Sequence, residues 1–181
     1  LPSVPINLLR LVHAEPAHDN PVGALDLDQL RAVLTGRVTS WKELGGRDAR
    51  INVLVRPEEQ GSHEVIKTAV FRPGDAYAES AEVVRRSEDV SDRVRSDPDA
   101  IGYVTFLAAG PTKALRLAAV GGNPVPPSAA TIRSGSYPLR RDLYVYARSD
   151  ASRASRDVLA FLVAAGQTVV REAGFVPLEP R

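Results

Sequence analysis

Apolar positions in this chain follow two rhythms. Short aliphatic runs read as strands: INLLRLVHAEP (6–16), with Leu8, Leu9, Leu11 and Val12, then INVLV (51–55). Three further strands follow: Ile101 to Phe106 behind an Asp-Pro break, KALRLAAV (113–120) and RDLYVYAR (141–148). Helical spacing lies between them. Leu27, Leu30, Val33 and Leu34 share a face of LDLDQLRAVLTG, with Asp26 as N-cap and Gly36 as the stop. RVTSWKELGG predicts a short helical turn around Trp41, and residues 62–71 a helix ended by Arg-Pro-Gly-Asp. Residues 75–95 are charged and helical in type, with Ala76, Val83, Val84, Val90 and Val94 as a partly apolar face. From Ser155 the spacing predicts one long helix ended by Gly174, with Val158, Phe161, Leu162, Ala165, Val169 and Val170 on one side. AHDNPVGA and GGNPVPPSAATIRSGSYPL read as loops. Strands alternating with helices, without an internal repeat, imply an α/β layered domain.

Charge narrows the partners. With 23 basic and 22 acidic residues the net charge is +1, and no long run of one sign occurs. Nucleic acid and anionic membranes both call for a basic patch, so neither is expected as a main partner. No apolar run is long enough to span a bilayer, so no membrane insertion is expected. The 181 residues contain no cysteine, which excludes disulfides and thiolate metal or redox sites. They also contain no methionine, so the translated start is not among them. A removed signal peptide and a truncated chain both fit.

The candidate chemistry lies in VLVRPEEQGSHEVIKTAVF (53–71). An apolar strand ends on Arg56, and a helical pattern starts near Gly61. A helix N-terminus offers unpaired N–H groups and partial positive charge, which suit an oxyanion. Gly61 lets a ligand approach the backbone, Ser62 adds a hydroxyl, and Arg56 brings a planar fork of donors. Gln60 can donate through its amide. The same residues also fit an ordinary connection, with Gln60 or Ser62 starting the helix and Arg56 on the surface. Other clusters read as structural. His13 and His18, near Glu15 and Asp19, are more simply loop polars than metal ligands. Glu58 and Glu59 form a solvated turn, Tyr144 and Tyr146 pack in the sheet, and Trp41 is an apolar anchor. No Gly-x-Ser-x-Gly, P-loop or dinucleotide fingerprint occurs, and no base or nucleophile is paired with the anion site, so no enzyme is expected.

Several stretches resemble the substrate-binding protein of the phosphate ABC transporter, a family of type 2 periplasmic binding proteins. LDLDQLRAVLTGRVTSWKELGG is similar to its helix–turn segment, and VRPEEQGSHE occupies the place of its arginine and Ser-Gly-Thr signature. DPDAIGYVTF, TIRSGSYPLRRDLYVYAR and FLVAAGQTVVREAGFVPL resemble its later strand, crossover and ending. The resemblance implies an α/β fold like one lobe of a type 2 periplasmic binding protein, with helices on both faces of a mixed or mostly parallel sheet. It implies a single domain over 1–181: a second-lobe-like part at 6–142, then a return strand and helix at 143–181. The family's binding arginine, serine, glycine and threonine fall on Arg56, Gln60, Gly61 and Ser62, and His63 stands where arginine is frequent. The implied function is periplasmic or extracellular binding of an inorganic oxyanion, foremost phosphate, for ABC-type uptake without a cofactor. The implied partners are an ABC permease or a missing N-terminal lobe. A sensory or protein-interaction module that kept the fold and lost tight binding is the alternative. Two expectations concern geometry: the Arg56 guanidinium should lie at the helix start near Gly61, and 143–147 should pair close to 8–12.

Overall fold

The computed structural model describes residues 3–13, 20–105, 108, 112–144, 146–172 and 176–177. Along the chain run β1 (Ser3–His13), β2 (Ala24–Asp26), α1 (Leu27–Leu34), a 3-10 turn (Trp41–Leu44), β3 (Asn52–Val55) and α2 (Gly61–Ala69). There follow β4 (Glu82–Val83), α3 (Ser87–Ser96), β5 (Ala100–Thr105), β6 (Lys113–Ala114) and β7 (Arg116–Ala118). The last elements are α4 (Ala129–Arg133), β8 (Arg140–Tyr144), α5 (Arg153–Val163) and α6 (Gln167–Glu172).

The main sheet is mixed. β4, β3 and β5 run parallel, with Leu54 opposite Glu82 and Val53 opposite Ile101. β1 lies antiparallel to β5, with Leu9 opposite Thr105, and also pairs antiparallel with β6 and β8. β2 and β7 form a separate parallel pair. Alternation along β3 and β5 divides the core, because successive side chains point to opposite faces. Val53, Val55, Ile101 and Tyr103 pack with Leu30, Val33, Leu34 and Trp41, and with Val65 and Ile66 of α2. Leu54, Ala100 and Val104 pack instead with Val90 and Val94 of α3. Helices therefore cover both faces, as strands buried on both sides require.

Local sequence accounts for the helix starts. The Asp26 side chain accepts the Gln29 N–H at 2.7 Å, and the Gln29 side chain accepts the Asp26 N–H at 2.9 Å. Gly36, at φ 74°, turns the chain away after α1. Ser40 and Glu43 cap the 3-10 turn in the same reciprocal way. Trp41 is fully buried, and its indole N–H donates to the Asp99 carbonyl at 3.0 Å. It is the anchor that its composition suggests.

Several elements depart from the sequence pattern. Residues 75–86 are not helical: Gly74 turns the chain at φ 87°, and Val83 lies in β4. The Val84 N–H donates to the Val55 carbonyl at 2.8 Å. Two adjacent β-branched residues fit a strand edge better than a helix; the helix begins only at Ser87, with Glu88 and Asp89 in its first turn. KALRLAAV is two strands, because buried Leu115 marks the change from the main sheet to the β2–β7 pair. The loop at 121–139 contains α4, where Ser128 and Thr131 cap each other. The long C-terminal helix is broken between α5 and α6, where the Gly166 N–H donates to the Phe161 carbonyl at 2.8 Å. Val158, Phe161 and Val169 are 58%, 51% and 57% exposed, so this apolar side is not core. Gly174 lies outside the described residues.

β1 and β8 do run side by side. Leu8 pairs with Arg140, Val4 with Leu143 and Ser3 with Tyr144, a register displaced toward the chain start from the one expected. Tyr146 falls beyond β8 and is 70% exposed, so it does not pack in the sheet.

Candidate functional site

Parallel strands bring helix starts together. β3 and β4 run in one direction, so α2, which follows β3, and α3, which follows β4, both begin at the carboxyl edge of the sheet. Open α/β sheets bind ligands at that edge. Arg56 is the first residue beyond β3. Its backbone N–H donates to Tyr103 Oη at 3.0 Å, and its carbonyl lies 3.2 Å from His63 Nδ1. A carbonyl only accepts, so Nδ1 carries the proton. The turn then closes through the Gln60 N–H, which donates to the Pro57 carbonyl at 3.0 Å. α2 starts at Gly61.

The Arg56 side chain is not a surface arginine: the residue is 6% exposed. Nη1 donates to the Val84 carbonyl at 2.9 Å, which places the guanidinium beside the β4–α3 connection. Nε is buried without a hydrogen-bond partner, and among the described residues no carboxylate within salt-bridge distance of Arg56 is found, although Glu88 and Asp89 act on it from further off. Burial pushes its pKa below the ordinary value; the nearby Tyr103, Glu88 and Asp89 act in the opposite direction. A guanidinium remains charged throughout the working pH range. The result is a buried cation with spare donors, an arrangement that is costly unless something answers the charge.

The start of α2 adds donors. Gln60 occupies the N-cap position, and no side chain caps the helix. Ser62 is buried, and its hydroxyl has no partner among the described residues. Gln60, Glu58 and Glu59 are exposed, as expected of a solvated turn. The bond to Val84 sets the Arg56 guanidinium against the β4–α3 connection, and among the described residues no hydrogen bond joins it to Gln60, Gly61 or Ser62 at the start of α2; the edge carries N–H, O–H and guanidinium donors of the kind an oxyanion takes.

The support behind Arg56 leaves little local mark in the sequence. Tyr103 and Tyr77 are joined by a hydrogen bond of 2.9 Å between their hydroxyls, and the His63 and Tyr77 rings form a T-shaped pair with centroids 5.3 Å apart. A tyrosine inside an aliphatic strand is the available signal, since a buried phenol needs a polar partner. Among the described residues no group of three His, Asp or Glu is placed to hold a metal. His18, Glu15 and Asp19 lie outside the described residues.

Known proteins share the fold. A family model described as a PBP superfamily domain matches residues 5–165. The phosphate-binding protein PstS of Bacillus subtilis is 30% identical over 165 residues, covering 88% of this chain and 52% of the relative. The chain thus spans about half the length of that relative. An ABC-type phosphate transport receptor from Vibrio cholerae superposes with a TM-score of 0.82 at 23% identity, over 96% of this chain and 70% of that one. PstS from Borrelia burgdorferi superposes with a TM-score of 0.80 at 22% identity, over 99% and 72%. These two likenesses are of fold.

Proposed function

The chain belongs to the PBP superfamily, and from that premise we propose that it binds an inorganic oxyanion, phosphate foremost, at the carboxyl edge of its parallel strands. Arg56, Gly61 and Ser62 make the contacts, and the Gln60 amide supplies a fourth. The observation that carries this reading is the buried Arg56 guanidinium, which has spare donors and no carboxylate partner among the described residues. An oxyanion answers both its charge and its unused N–H groups. The curated relative named above is a phosphate-binding protein, which supports phosphate as the ligand.

Residues 1–181 form one domain, a single lobe, and the role is extracytoplasmic capture for ABC-type uptake, without chemical conversion. Periplasmic binding proteins enclose ligands by hinge closure of two lobes. This lobe supplies one wall; a second lobe supplies the other, and an ABC permease receives the ligand. A single wall leaves the anion open to water and screening ions.

The test is calorimetric titration of inorganic phosphate into the monomeric chain at low salt and again at higher salt. Binding is expected at roughly the millimolar level, weakening as salt rises. Tight, salt-insensitive binding by the monomer would overturn the one-wall reading, and no heat at any concentration would overturn the site.

A further inference from the structure

Arg56 lies one residue past the end of β3, where the sheet ladder no longer serves its peptide group. Side chains take over. Tyr103, fully buried on β5, accepts the Arg56 N–H at 3.0 Å, and His63 Nδ1–H faces the Arg56 carbonyl at 3.2 Å. Tyr77 braces both: its hydroxyl lies 2.9 Å from that of Tyr103, and its ring makes T-shaped contacts with His63 and Phe71 at centroid distances of 5.3 and 4.8 Å. Burial raises the pKa of both phenols, so the hydroxyl pair stays protonated and keeps its hydrogen bond. β5, α2 and the segment before β4 thus fix the polar groups on both sides of one Cα.

We propose that Tyr103 is a positioning residue of the oxyanion site, with Tyr77 and His63 as its braces. It acts through Arg56 and does not touch the ligand. A guanidinium sits at the end of a long, rotatable stem, so the orientation of the backbone at its root sets where its donors point. Hydrogen bonds weaken steeply with misalignment. Holding the Arg56 N–H therefore sets the aim of the guanidinium, while its own bond to the Val84 carbonyl sets its reach. This inference rests on the Arg56 reading above.

Tyr103→Phe keeps the ring and removes the hydroxyl. Inorganic phosphate is titrated into wild type, Tyr103→Phe, Arg56→Ala and the double variant, with phosphorus NMR shifts to read weak binding. Tyr103→Phe is expected to weaken phosphate binding about three- to tenfold, the effect of one hydrogen bond. It should produce no further loss once Arg56 is alanine. A tyrosine that merely stabilises the fold would weaken binding by the same factor in both backgrounds. That equality, or an unchanged affinity in Tyr103→Phe, overturns the inference while leaving the site intact. An unchanged affinity in Arg56→Ala removes the site and this inference together. Where Tyr103→Phe does not fold, Tyr77→Phe replaces it: a smaller loss confined to the Arg56 background supports the inference, and no loss overturns it.

Discussion

Asp75 gathers positive groups from three places. The Arg31 guanidinium hydrogen-bonds both carboxylate oxygens, the Arg72 backbone N–H donates at 2.7 Å, and Arg37 lies 3.6 Å away. The Arg31 hydrogen bonds first, then the Arg72 N–H, hold its pKa down from 3.8 to about 2. A carboxyl depressed in the folded state contributes stability that is present above its unfolded pKa and lost as pH falls through the folded value. The Asp75 contribution is therefore complete above 3.8 and disappears toward about 2. Urea midpoints measured across that window should fall less steeply for Asp75→Asn than for wild type. Parallel acid limbs would show that Asp75 is not part of the acid response. A second residue is fixed by space. A Cβ on Gly102 would meet Val90 Cγ1 at 2.5 Å and Leu54 Cβ at 3.3 Å. Gly102→Ala should destabilise by about 1–3 kcal/mol through overpacking; a denaturation midpoint equal to wild type would show that α3 yields freely. At this scale the placement of Arg56 was legible, because a strand end followed five residues later by a helix start is a local pattern. Tyr103 was not, because its partner lies 47 positions away along the chain.

Among the elements, those with strong local signals came out as read. Asp26, Gln29 and Gly36 bound α1, and INVLV forms β3, where Val53, Leu54 and Val55 are all buried. The misses have separate causes, some distant and some local. β4 is two residues long and exists because β3 offers an edge. The cap of α4 uses Thr131 where the readable signature has Glu or Gln, so it left no clear mark. In α5, periodicity correctly marks an apolar face, but periodicity does not say what covers it. That distinction is measurable. Phe161→Ser should change stability by less than about 0.5 kcal/mol, as exposed positions do, because Phe161 is half exposed. Leu30→Ala, at a fully buried position of α1, should cost about 2–5 kcal/mol. A comparable loss in both, by urea denaturation, would mean that α5 belongs to the core in solution.

At the scale of the whole molecule, the α/β class followed from alternating strands and helices, and the resemblance carried the fold family and the pairing of β1 with β8. The order of the strands required the long-range pairs of β1, which joins the parallel strands to β6 and β8. The site depends on that assembly: parallel β3 and β4 put two helix starts on one edge, and β5 delivers Tyr103 to the root of Arg56. We propose that this edge holds an oxyanion through Arg56. The most direct test compares phosphate binding by wild type and Arg56→Ala in one low-salt titration series. Each charge-assisted hydrogen bond contributes about 1.5–3 kcal/mol, so the loss of the guanidinium should weaken binding by roughly tenfold or more. Equal affinity in the two proteins would contradict the account and make Arg56 a structural residue of the β4–α3 connection.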